Sequence, residues 1–268
     1  MSFNSTQITS LYIPSRYAAS IFATILYISL IAWFIQTLHF KYRPYILSLF
    51  IFLSHLITFV ELVLRATVDI DTMNTKIYRE ITSALCSLSP RLLLLANYRC
   101  LVDLRGKKPR EMLDRLMDVV IPLNVLNMDS LLCLADDFSF AEKHQKLSIY
   151  FRQASNGFSF FLALLFYVFW YLAVSHVRRL YVLPLVTVSS ICVSIEIGYS
   201  FLISIPHVFL FLTQDEFYYY VCHVIPMFVA LVTWSIFHPW KFLPPSEANV
   251  PRDASGNELL APPPPSFY

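Results

Sequence analysis

Charge is scarce in this chain. Asp, Glu, Lys and Arg make up 14% of its 268 residues while apolar types make up 57%, a share too large for a soluble domain of this size to bury. Several function classes lose their signatures outright. No GxxxxGK[ST] loop occurs, which removes ATP-driven pumping by this chain. Neither a GxSxG elbow nor an HExxH pair is present, so the serine-hydrolase and zincin patterns have no carriers. The seven His residues (His39, His55, His144, His176, His207, His223, His238) never form the closely spaced boxes of a membrane di-iron oxygenase. The last apolar stretch holds no Lys, so a retinal Schiff base has no amine. No CxxC occurs, and Cys86, Cys100, Cys133, Cys192 and Cys222 all fall inside or at the edge of apolar stretches without a His at ligand spacing. Buried free thiols are the expectation, and no metal or cofactor is expected. A net charge of +2, with Lys and Arg scattered through loops, gives no basic patch for nucleic acid. The N-terminus, MSFNSTQITSLYIPSR, lacks a basic n-region and is not a cleavable secretory signal.

What the chain does have is apolar length. Seven stretches, each near the roughly 20 residues that cross a bilayer core, run at Tyr17 to Leu38, Tyr45 to Leu64, Ile81 to Leu104, Leu116 to Ala135, Gly157 to Val174, Tyr181 to Ile203 and Phe217 to Phe237. The expected fold is an all-α, seven-helix transmembrane bundle. The run from Val182 to Leu212 exceeds one span and is interrupted by Pro184 and Pro206, which suits a tilted helix followed by a re-entrant or interfacial segment.

Lys and Arg set the orientation. With the N-terminus outside, the inner segments carry eleven of them (Lys41, Arg43, five from Arg105 to Arg115, Arg178, Arg179, Lys241 and Arg252) and the outer segments seven. The N-terminus is therefore expected outside and the C-terminus in the cytosol. Asn4-Ser5-Thr6 is a glycosylation sequon, usable at Asn4 only with that orientation. The expected organisation is an extracellular segment over 1–16, the transmembrane domain over 17–239 and a tail over 240–268. The tail holds Pro244, Pro245, Pro251 and the run Pro262 to Pro265 among polar residues, a composition expected to be disordered, with polyproline II as the form an SH3 or WW module would dock.

Ionisable side chains within spans are costly unless paired or facing water, which makes them the first functional candidates. Glu61 and Arg65 stand at i and i+4 in span two, in the favourable order for an intrahelical pair; a structural pair and a substrate-facing role both fit. Span three carries Pro90 and Arg91, then Tyr98 seven residues on, nearly on the same face. Arg91 needs an acidic or carbonyl partner, and Glu61, Asp129 and Glu196 are the carboxylates at hand. The network they would form suits holding the bundle in register or lining a cavity. In span seven Glu216, Tyr220, His223 and Met227 fall at i, i+4, i+7 and i+11, one stripe of a regular helix. Pro226 interrupts it.

The order of these residues resembles the fungal lipid-translocating exporter, or aminocholesterol-resistance-like, family of seven-helix membrane proteins. Tyr12-Ile13-Pro14-Ser15 is similar to the family's Y-x-P-S entry to the first span, and His39 to the His that closes it. Pro90 and Tyr98, Asp129 and Glu196 resemble its residues in spans three, four and six. Glu216, Tyr220, Pro226, Met227 and His238-Pro239 follow its order through span seven. The chain departs from the pattern at His223, where the family has Asp, at Asp136, where it has Gln, in lacking a Gly-Tyr pair in span two, in having only four Gly, and in a longer segment from Glu196 to Glu216. It looks like a divergent member.

The resemblance implies movement or efflux of amphipathic lipids such as sphingoid long-chain bases, or resistance to sterol analogues and other toxic hydrophobes, at the plasma membrane or an endomembrane. Arg91, Tyr98, Asp129, Glu196, Glu216, Tyr220 and His223 would then accept the head group, since fixed polar partners lower the cost of bringing it into hydrocarbon. A cationic amine would favour Asp129 and Glu216. The alternative is a seven-helix lipid-sensing receptor; against it, Tyr98-Arg99-Cys100-Leu101-Val102-Asp103 holds no Asp-Arg-Tyr switch. An intramembrane enzyme finds no nucleophile or metal constellation, and no enzymatic activity is expected.

Overall fold

In hydrocarbon no water can satisfy a peptide group, so each long apolar stretch must close its own backbone hydrogen bonds. The computed structural model describes residues 16–40, 45–68, 75–105, 130–135, 145–174, 182–212 and 215–238, nearly all of them helical. In chain order the helices are α1 (Arg16–Phe40), α2 (Tyr45–Thr67), α3 (Lys76–Arg105), α4 (Gln145–Val174), α5 (Val182–Ile203), the short α6 (Pro206–Leu212) and α7 (Glu216–Ile236). A further helical piece occupies 130–135. Asn4, Asp129 with most of the fourth expected span, and the proline-rich tail lie outside the described residues.

Among the described residues five helices, α1, α2, α4, α5 and α7, are long and apolar enough to cross a membrane. The chain is an all-α membrane protein. Their outer faces are covered with exposed apolar side chains such as Ile28, Ile35, Phe161, Val168 and Ile195, a surface suited to acyl chains and not to water. The third helix has 30 residues and falls outside that group because Ser87, Ser89, Arg91 and Asn97 interrupt its apolar run. Its position explains how it carries them. It packs against α2, α4 and α5, and Leu93, Leu94, Ala96, Asn97, Tyr98, Cys100 and Leu101 are all buried. A helix covered on most sides finds partners for its polar groups inside the bundle.

Side-chain contacts fix the direction of each helix. Arg16 donates to the Val68 carbonyl and Tyr27 packs on Phe59, so α1 and α2 are antiparallel. The same holds for α2 with α3 through Ser54 with Ser89 and Glu61 near Cys86, α4 with α5 through Gln153 with Ser204 and Tyr167 with Ser194, and α5 with α7 through Ser189 with Trp234 and Glu196 with His223. By contrast α3 and α4 run parallel, because Arg91 meets Ser155 and Tyr98 meets Leu162. Helices α1 and α7 are also parallel, joined from Phe22 on Tyr220 to Thr37 on His238. One end of the bundle therefore gathers the C-terminal ends of α2 and α5 with the N-terminal ends of α1, α3, α4 and α7.

Two sequence details shape the part that matters for function. Gly157 and Gly198 let α4 and α5 approach closely: a Cβ on Gly157 would lie 3.3 Å from the Phe201 ring, and one on Gly198 3.5 Å from Phe160. Those two rings stack across the seam. In α7 Pro226 has no N–H to give the Cys222 carbonyl and its ring crowds that oxygen. The helix widens there into a π turn over Tyr220–Val224, and the Ile225 N–H bonds the Tyr220 carbonyl.

Candidate functional site

At the end of the bundle defined above, α2, α3, α5 and α7 bring their ionisable side chains to one level. Glu61 lies six residues before the end of α2, Glu196 seven before the end of α5, and His223 seven after the start of α7, each about 10 Å along its helix. Arg65, one turn beyond Glu61, carries the cluster toward the helix end. Cys86 of α3 faces the same point.

The hydrogen bonds converge on His223. Its Nε2 lies 3.2 Å from Glu61 Oε2 and its Nδ1 3.0 Å from Glu196 Oε1. Only an imidazolium donates from both nitrogens. Glu61 turns its other oxygen, Oε1, to Arg65 Nε at 3.0 Å and to the Tyr219 hydroxyl at 2.9 Å. The Arg65 guanidinium also lies over the Tyr219 ring, 4.5 Å from its centroid, within cation–π range. Glu196 Oε1 accepts from the Ser200 hydroxyl at 3.0 Å. The Cys86 sulfur sits 3.5 Å from His223 Nε2.

Burial makes this arrangement consequential. Glu61, Glu196 and His223 are each 1% exposed or less, in surroundings where an unpaired charge costs several kcal/mol. Two carboxylates face one guanidinium and one imidazolium, so the formal charge sums to zero. The second oxygen of Glu196, Oε2, is buried and has no hydrogen-bond partner among the described residues.

Of the residues expected to form a polar stripe, Glu196 and His223 meet here. Arg91 is buried elsewhere, between α3 and α4, donating to Ser155 Oγ at 2.8 Å and Asn156 Oδ1 at 3.2 Å. Asn156 continues that line to the Ser200 carbonyl at 2.9 Å. Tyr98 donates to the Leu162 carbonyl at 2.7 Å and packs edge-on against Phe166, which ties α3 to α4. Glu216 is half-buried at the start of α7, and Tyr220 turns toward α1, where it stacks on Phe22. The π turn separates them from the cluster, and Tyr219 takes the place beside His223, with ring centroids 5.1 Å apart. Cys86, Tyr219 and Ser200 are the members that sequence spacing does not reveal. Pro226 is the signal for a register change ahead of it, whereas nothing local marks Cys86, which is 137 residues from His223.

A second polar knot lies deeper in the bundle. His55 of α2 meets Ser29 of α1 and Ser235 of α7 at 3.3 and 3.1 Å and holds the Ile51 carbonyl through Nδ1. It pins three helices together. Nearby, Ser54, Thr58 and Ser89 share hydroxyl bonds between α2 and α3.

No family model matches the chain, and no curated protein or solved structure matches it either.

Proposed function

We propose that this protein spans the membrane seven times, N-terminus outside, and translocates amphipathic lipids with a cationic head group, in the manner of the lipid-translocating exporters its sequence resembles. The helix directions support the span count. Helices α3 and α4 are parallel, so a chain entering both from the same side has to return across the membrane between them. The eleven-to-seven bias of Lys and Arg favours the N-outside orientation, in which the charged cluster would lie in the outer half of the bilayer.

One observation carries the functional reading. Two buried carboxylates, Glu61 on α2 and Glu196 on α5, are bridged by a single cation, His223. A primary ammonium is a cation of the same charge with three donors; replacing imidazolium by lipid ammonium between the carboxylates keeps the site neutral. The lipid-facing side of α1 and α2 supports the same reading. An apolar groove of about 330 Å³, lined by Ala23, Tyr27, Phe59 and Val63 among others, lies at the level of Glu61 on α2. An acyl chain in that groove keeps its head group at the height of the network.

Vesicles containing only the purified chain test this. A labelled sphingoid base exchanges leaflets faster than in protein-free vesicles, and Glu196→Gln slows it by roughly tenfold, the loss of one strong charged contact. Exchange at the protein-free rate rejects the reading, and binding without exchange moves the protein to the lipid-sensing receptor class. In cells, substituting Asp129 or Glu216 reduces efflux of the base while the protein stays in the membrane.

A further inference from the structure

The geometry points to a transition-metal site of the zinc class at Glu61, Cys86 and His223. One donor atom from each of these residues lies within 4.8 Å of the others. A tetrahedral zinc ion, with bonds of about 2.0–2.3 Å, sets neighbouring donors roughly 3.3–3.6 Å apart. Cys86 Sγ stands 3.5 Å from His223 Nε2, and Nε2 stands 3.2 Å from Glu61 Oε2. The Nε2–Oε2 edge is thus close to its final length before any metal enters, and the sulfur, which also lies 3.6 Å from Nδ1, has to move to the Nε2 side of the ring to complete the second.

The surroundings form the second observation. A metal-binding histidine usually donates its other ring N–H to a carboxylate, and a ligating carboxylate is itself held by hydrogen bonds. His223 Nδ1 already faces Glu196 Oε1 at 3.0 Å. Arg65 and Tyr219 already occupy Glu61 Oε1, which leaves Oε2 for the ion. Three protein donors leave a fourth position open, which a water can take.

Charge favours the exchange. Without metal the four ionised groups sum to zero. A divalent ion displaces the proton from His223 Nε2 and the proton from the Cys86 thiol, giving neutral imidazole and thiolate, so the charge again sums to zero. The low-dielectric site gains no net charge on binding. A set of one sulfur, one nitrogen and carboxylate oxygen selects zinc, cobalt or a neighbouring transition metal over magnesium and calcium. The inference stands independently of lipid movement, because its readout is metal content.

Chelator-stripped protein in lipid nanodiscs, titrated with zinc and assayed for bound metal, tests the site. We expect about one zinc ion per chain and release of about two protons per ion, with an excess of magnesium having no effect. Cobalt gives the thiolate charge-transfer band, and Cys86→Ser abolishes the band. Glu196→Gln weakens zinc binding by roughly 10–100-fold. Cys86→Ala serves as a second variant, since a small apolar residue fits the thiol's place and leaves the charge network whole. Absence of stoichiometric zinc in the wild-type chain, or cobalt binding with no thiolate band or unchanged in both Cys86 variants, overturns the proposal.

Discussion

His223 of α7 and Glu196 of α5 are joined by a 3.0 Å contact between Nδ1 and Oε1, with both residues sealed from solvent. Each supplies the opposite charge that the other's burial calls for. Glu196→Gln leaves the cluster with an excess positive charge, and breaking one partner of a buried ion pair costs about 3–5 kcal/mol. The double variant Glu196→Gln with His223→Gln removes one charge of each sign and recovers part of that loss. A double-mutant cycle on thermal unfolding in detergent reads the coupling, expected at roughly 0.5–3 kcal/mol. Simple additivity means the two side chains do not stabilise each other.

Arg91 works by shape as much as by charge. Its Nη2 reaches Ser155 and Asn156 together, and Asn156 passes the connection to Ser200 on α5. Arg91→Lys keeps the charge but loses the planar fork, so it destabilises the α3–α4 contact by about 1–3 kcal/mol. Limited proteolysis of reconstituted protein should show earlier cleavage between these helices in the Lys variant. An unchanged cleavage rate shows that charge alone suffices.

Five of the seven expected spans were legible because some twenty apolar residues in a row have few other uses, and Arg91, Glu196 and His223 stood out because ionisable groups in such runs are expensive. The Glu61 and Arg65 pair follows from i and i+4 spacing on one helix. Which charges meet across helices does not follow, since helix rotation is set by packing that no single stretch encodes. Cys86 illustrates this: local spacing finds it no ligand partner, yet the fold sets it against a histidine 137 residues away. Arg91 and Tyr98 share a face as their spacing requires, and that face meets α4 rather than the charged cluster. Tyr219 in place of Tyr220 is a matter of one residue of register, introduced by the π turn.

His55 offers a control on function. It links Ser29 and Ser235 and sits six residues from Glu61, about 9 Å along α2. His55→Leu unties α2 from Ser29 and Ser235, whose hydroxyls keep each other as partners, and costs about 0.5–1.5 kcal/mol, seen as a lower unfolding temperature. The rate of lipid-base exchange per folded molecule should stay within twofold of wild type. A collapse of exchange with the fold intact makes this inner knot part of the lipid pathway.

Orientation has a direct readout. With the N-terminus outside, Asn4 is accessible to the glycosylation machinery, so Asn4→Gln increases gel mobility for protein made in a eukaryotic membrane, and a C-terminal epitope is stained only after permeabilisation. A C-terminal epitope stained on intact cells reverses the topology and moves the Glu61 cluster to the cytosolic half.

Pro226 controls the aim of α7. Restoring an N–H at that position lets it bond the Cys222 carbonyl, and the reason for the π turn over Tyr220–Val224 disappears. Closing that turn removes one residue from the widened loop and rotates the preceding part of α7 by about 100° relative to the rest. Tyr219 then swings away from Glu61, and its 2.9 Å bond is lost, while Met227, Leu231 and Trp234 remain packed in the core. Pro226→Ala should therefore leave the protein folded but erase the coupling between Tyr219→Phe and Glu61→Gln, which in the wild-type background is expected at about 0.5–3 kcal/mol. If the coupling survives in the Ala background, packing against α1 and α2 holds the turn open, and the proline only follows a register fixed elsewhere.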